Sequence, residues 1–127
     1  MEIPKFLYHG TTMYSYNLLK RNYKILGGVL QCFGGINDGA LDMARKRAKQ
    51  EMYFSFEIEE RYLLGIPVLL VVDSSNHDVR STNTCNIFEV LKKVNQKAHI
   101  MIDLTKRSPF ELYNLSCRAK ELSDFLF

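Results

Sequence analysis

Gly65-Ile66-Pro67-Val68-Leu69-Leu70-Val71-Val72-Asp73 is the stretch on which the fold turns. Gly-Ile-Pro redirects the chain, and five consecutive aliphatic residues follow. A half-buried strand alternates apolar and polar side chains, whereas an unbroken aliphatic run needs apolar cover on both faces. Val68 to Val72 therefore predict a central strand. The run is far shorter than the roughly 20 apolar residues that a membrane-spanning helix requires.

Working back from this strand, residues Tyr53 to Tyr62 read two ways. Phe54, Phe56 and Ile58 alternate with Ser55 and Glu57 as in a strand, while Glu59, Glu60 and Arg61 would continue a helix. Before them Asp38 suits the N-cap of a long helix on which Ala40, Ala44 and Ala48 recur at spacing four. Leu41 and Met52 lie on that same face, and Arg45, Lys46, Arg47 and Lys49 crowd the remaining surface. Val29 to Phe33 predict a strand bracketed by Gly27-Gly28 and Gly34-Gly35. Met13 to about Tyr23 predict a short helix, with Leu18 and Leu19 inside and Lys20, Arg21 and Lys24 outside. Lys5 to His9 read as a first strand ending at Gly10-Thr11-Thr12, where Thr12 caps the helix that follows.

On the other side of the central strand, Asp73 to Thr84 is polar and predicts a loop or a loose hairpin. Ile87–Leu91 and Ala98–Ile102 predict two more strands joined around Asn95-Gln96. Ser108-Pro109-Phe110-Glu111 combines an N-cap serine, proline at the first helical position and glutamate three after the cap. A closing helix to about Asp124 follows, with Phe110, Tyr113 and Cys117 on one side. Strands outnumber helices after Gly65 and no regular βαβ alternation is kept, so the class expected is α+β in a single domain, residues 1–127.

Composition agrees with a globular chain: 46% of the 127 residues are apolar and 24% charged, enough for both a core and a solvated surface. The N-terminus lacks the basic flank and apolar core of an export signal, so a soluble, cytoplasmic protein with no membrane partner is expected. Cys32, Cys85 and Cys117 form no CxxC pair and no metal-ligand spacing with His9, His77 or His99. They read as small buried thiols in a reducing compartment, and no metal is expected. A net charge of +3 is too small to imply nucleic-acid binding by itself.

The familiar signatures of chemistry are missing. No GxGxxG follows a strand, and there is no Walker A loop, HExxH or Gly-x-Ser-x-Gly elbow. What remains is His9-Gly10 at the end of the first strand. An imidazole nitrogen can hydrogen-bond a ribose hydroxyl, and a glycine backbone can pair with a planar carboxamide. A core-edge histidine beside an ordinary glycine is the plainer account.

Phe6-Leu7-Tyr8-His9-Gly10-Thr11-Thr12, followed by a short helix and Ile25-Leu26-Gly27-Gly28, resembles the first motif of the ADP-ribosyltransferase superfamily. The branch it is most similar to contains the poly-ADP-ribose polymerases, diphtheria-like toxins and tRNA 2′-phosphotransferases. Pro67-Val68-Leu69-Leu70-Val71-Val72-Asp73 also looks like a run of the phosphotransferases. The resemblance spans about residues 5 to 102, and its motif-quality part is confined to the neighbourhood of His9.

The resemblance implies a compact fold of two packed, mainly antiparallel sheets flanked by three helices, and an enzyme that uses NAD as substrate. It implies that His9 orients the nicotinamide ribose, that Gly10 and Thr11 line the cofactor, and that Phe33 or Tyr53 stacks on the nicotinamide. Glu89 would steady the oxocarbenium-like centre as nicotinamide leaves. Phe33 and Tyr53 also fit a core, and Glu89 also fits a solvated strand position between Phe88 and Val90. Arg47, central in the basic run, is the residue placed to attract the NAD pyrophosphate or another anion; the run would serve equally as a solvated helix face.

The implied activity is transfer of ADP-ribose to a macromolecular acceptor, a protein in preference to a nucleic acid, in a toxin- or phage-effector-like domain. The alternatives are tRNA 2′-phosphotransferase chemistry, against which stands the lack of a separate RNA-binding domain, and an inactive binding module that keeps the fold.

Overall fold

The computed structural model describes residues 2–22, 29–36, 39–54, 59–91, 99–108, 110, 111 and 114. Six strands and two helices lie among them: β1 (Phe6–Thr12), α1 (Met13–Asn22), β2 (Val29–Phe33), α2 (Ala40–Phe54), β3 (Pro67–Asp73), β4 (Asp78–Ser81), β5 (Ile87–Leu91) and β6 (His99–Asp103). Arg61–Leu63 and Ser74–Asn76 add short 3-10 turns.

All strand pairings are antiparallel, and the strands form one sheet in the order β4-β5-β2-β1-β3-β6. The central strand is as its composition requires: Val68 to Val72 are fully buried, with β1 on one flank and β6 on the other. Alternation along the strands divides the core into two layers. Phe6, Tyr8, Leu69, Val71 and Ile102 turn to one face, where they pack with Ile36, Ala40 and Leu41 beside α2. Leu7, Leu30, Cys32, Leu70, Val72, Phe88 and Val90 turn to the other, where Tyr16 and Leu19 of α1 pack against them. Each fully buried Leu or Val contributes about 1.5–3 kcal/mol relative to exposure.

The expected two packed sheets are one sheet with a weak line through it. Every residue of β1 has a partner in β3, from Phe6↔Asp73 to Thr12↔Pro67. Between β1 and β2 the register holds only at Tyr8↔Phe33. The halves β4-β5-β2 and β1-β3-β6 thus meet at a seam.

Further differences have local causes. β1 does not end at Gly10 but runs on to Thr12, because β3 pairs with it throughout. Polar Asp78–Ser81 is a strand after all: it is an edge strand held by β5 alone, so its side chains need not be apolar. The turn that joins it to β5 contains Asn86 at φ 61°, a left-handed conformation that asparagine tolerates better than most residues. β5 and β6 are not neighbours, since one flanks β2 and the other β3. Met52, assigned to the inner helix face, is exposed, and so is Cys85, whereas Cys32 is buried and its thiol is pushed up to about 12 by burial. The Gly27-Gly28 break, the Asp38 cap, the Phe56 and Ile58 positions, the Asn95-Gln96 junction, Cys117 and most of the closing helix lie outside the described residues. The cap of that last helix is present: the Glu111 N–H donates to Ser108 Oγ (3.2 Å). No described helix is long and apolar enough to cross a membrane.

Candidate functional site

Thr12 does cap α1, accepting from the Ser15 N–H at 3.1 Å. Its hydroxyl also donates to Glu51 of α2, whose other carboxylate oxygen accepts from the Gly65 N–H at 3.1 Å. One carboxylate thereby ties the end of β1, the helix α2 and the turn into β3. The sequence reading passed over Glu51. The signal was available: Ala40, Ala44, Arg47 and Glu51 follow a four-three-four spacing and so share one helix stripe.

That stripe rests on Gly10. A Cβ at position 10 would lie 1.8 Å from the Ala40 carbonyl oxygen and 2.7 Å from the Ala44 nitrogen. Glycine and two alanines thus let helix and strand approach closely. The close approach brings Arg47, expected among the outward-facing basic residues, onto β1. It is half-buried, while Arg45, Lys46 and Lys49 are exposed.

Arg47 Nη1 donates to the Gly10 carbonyl at 2.8 Å and contacts His9 Nε2 at 3.2 Å. A guanidinium only donates, so Nε2 must be the accepting nitrogen. The imidazole proton then resides on Nδ1, which donates to the Gln31 carbonyl at 2.6 Å. His9 follows Leu7 in the strand alternation and leaves β1 on the α1 face. Its ring nevertheless reaches both β2 and α2, which the opening of the seam beyond Tyr8 permits. Burial is the main reason that the His9 pKa falls to about 4; the Gln31 carbonyl acts against this and the Arg47 charge with it. The ring is therefore neutral near pH 7, with a fixed tautomer.

Glu89 is two strands from His9, across β2, and its Cα partner on β2 is Gln31. Two strand spacings make about 10 Å. Lying between Phe88 and Val90, both in the α1-side layer, Glu89 turns to the α2 face together with Gln31 and Phe33. α2 packs over β1 and β3, and Gln31 is exposed beside it. Arg80 of β4 holds Glu89 from the outer side, with both contacts on Oε2: Nε at 2.7 Å and Nη2 at 2.5 Å.

The remaining expected residues divide. Phe33 closes β2 at the seam pair with Tyr8 and packs its ring against Gly39, ahead of α2. Thr11 is buried and, by alternation, on the α1 face, away from Arg47. Tyr53 is 75% exposed. Six residues beyond Arg47 it projects about 120° around the helix from it, and it does not join the cluster. The structure thus brings His9, Gly10 and Arg47 into direct contact, sets Phe33 on the neighbouring strand β2, and leaves Glu89 two strands away on the other sheet face and Tyr53 and Thr11 aside. Among the described residues no group of three or more His, Cys, Asp or Glu side chains is placed to hold a metal ion.

No protein-family model, curated protein or solved structure matches the chain.

Proposed function

We propose that the seam between β1 and β2 is an NAD site of the ADP-ribosyltransferase type, and that the protein transfers ADP-ribose to a macromolecular acceptor, a protein. The observation that carries this reading is the joining of His9, Gly10 and Arg47 at the point where β1 parts from β2. A neutral imidazole with an accepting Nε2 suits a ribose hydroxyl. The Gly10 carbonyl suits the amino group of a carboxamide, and Phe33 offers the nearer of the two expected aromatic faces.

In the reaction so envisaged the C1′–N bond of the nicotinamide riboside breaks, and nicotinamide leaves with the bonding electron pair. Positive charge develops on the ribose; the resemblance assigns its stabilisation to Glu89, which leaves β5 on the face opposite to the one His9 leaves from, two strands away. A nucleophile of the acceptor bonds to C1′ and releases its proton to solvent.

A second reading, a module that binds without turnover, is favoured by one observation. The Arg80 ion pair draws Glu89 toward β4, the side away from His9. Titration calorimetry with NAD, combined with nicotinamide release in the presence of cell lysate, separates the two. Binding with release that His9→Ala abolishes supports the transferase. Binding without release supports the module. Absence of NAD binding by the folded protein sinks both.

A further inference from the structure

One nitrogen of Arg47 serves both acceptors at the seam, His9 Nε2 and the Gly10 carbonyl. A guanidinium carries five N–H donors, and these contacts use only its Nη1 end. Among the described residues the Nε and Nη2 edge has no protein partner, and no carboxylate balances the charge. Glu51, one helical turn further on, is engaged by Thr12 and the Gly65 N–H. Half-burial penalises the cation, and that cost lowers the Arg47 pKa. The result is a half-buried positive charge, held in place at one end and lacking a counter-ion at the other.

Resting on the NAD reading, we propose that Arg47 is a specificity-determining residue that makes the seam selective for nicotinamide ligands carrying a phosphoryl group. A ligand without a phosphoryl group, such as the cationic nicotinamide riboside, must displace Nη1 from two hydrogen bonds and gives the guanidinium no anion in return. A nucleotide offers a phosphoryl oxygen pair to the open edge, where a bidentate, charge-assisted contact forms. Turning toward that anion releases His9 Nε2 and the Gly10 carbonyl for the nicotinamide riboside half of the same ligand. Engagement of the anion and exposure of the two acceptors are thus one event.

The test compares the full chain with its Arg47→Ala and Arg47→Gln variants, using calorimetry with NAD and with nicotinamide riboside. Wild-type protein is expected to bind NAD at least about tenfold more tightly than the riboside, a gap of about 1.4 kcal/mol. In Arg47→Ala the riboside tightens and NAD weakens, so the gap closes. Arg47→Gln, which keeps an N–H donor but not the charge, weakens NAD and tightens the riboside less than Arg47→Ala does. A third arm uses inorganic pyrophosphate and the 15N resonances of His9. The anion should move the wild-type Nε2 signal toward its position in Arg47→Ala. Riboside binding that is unchanged or weaker in Arg47→Ala overturns the proposal, as does a His9 signal indifferent to pyrophosphate. If pyrophosphate moves His9 but neither nicotinamide ligand binds any variant, the NAD reading fails while the anion-coupled release of His9 stands.

Discussion

The two flanks of β1 are built for different purposes. Toward β3 it is paired from Phe6 to Thr12, with side chains of both strands buried in two layers. Toward β2 it is paired at Tyr8↔Phe33 alone. The closed flank carries the apolar residues that hold the sheet together. The open flank carries a polar imidazole, a charged guanidinium and a glycine carbonyl that accepts from that guanidinium. A strand can thus be secured along one edge by backbone pairing and leave the other to polar side-chain contacts. The difference implies that perturbing the closed side or its helix contact should cost stability, and perturbing the open side should chiefly alter pH response and binding.

The largest effect is expected from Gly10→Ala, which sits where both flanks and α2 converge. The added methyl overlaps the Ala40 carbonyl, a backbone atom that cannot rotate away. A loss of about 3 kcal/mol or more is expected from urea unfolding, toward the upper end for overpacked sites. A cost under about 1 kcal/mol would show that α2 does not rest on β1 as described.

Acidification probes the open flank. Unfolded His9 takes up a proton near pH 6.5, whereas the folded imidazole stays neutral until about pH 4. Below 6.5 the unfolded chain binds the extra proton, so stability is complete above 6.5 and is lost as pH falls through 4. The full loss is on the order of 3 kcal/mol. Denaturation curves between pH 7 and 4 should show it, and His9→Gln should flatten the dependence.

Thr12→Val should cost about 1–2 kcal/mol, since it removes the cap of α1 and the donor to Glu51 together. The urea midpoint checks this, and an unchanged midpoint would mean that the tie between β1 and α2 adds nothing. Smallest is Arg80→Ala. The guanidinium is 61% exposed, so its ion pair with Glu89 should contribute less than about 1 kcal/mol. If Glu89 supports transfer, releasing it from Arg80 should raise nicotinamide release by a few fold rather than lower it, at the scale of one exposed ion pair.

How much of this was legible in the sequence follows from what each residue depends on. β2, β3 and β5 match the stretches predicted for them because burial on one or both faces leaves an apolar pattern. β4 left none, since an edge strand is specified by its neighbour's backbone and not by its own side chains. The remote placement of β5 and β6 was hidden for a similar reason: local pattern identifies strands, while pairing is decided at long range. In the site, Tyr8-His9-Gly10 was visible as a motif with a glycine that permits close backbone approach, and the element that approaches is α2. Arg47 was singled out as one charge in a basic run, and its inward direction follows from the Ala40–Ala44 stripe two turns before it.

The contact of Gly10 with Ala40 and Ala44 has a consequence for ancestry. Substitutions at Arg45, Lys46 and Lys49 meet only solvent, so these positions are free to drift over time. At position 10 nothing larger than a hydrogen fits, because an added carbon meets the backbone of α2, and Ala40 and Ala44 are fully buried beside it. Diverging descendants of this chain should therefore keep a barcode of small residues, a glycine followed thirty positions later by alanines four apart, after the charges around it have been rewritten.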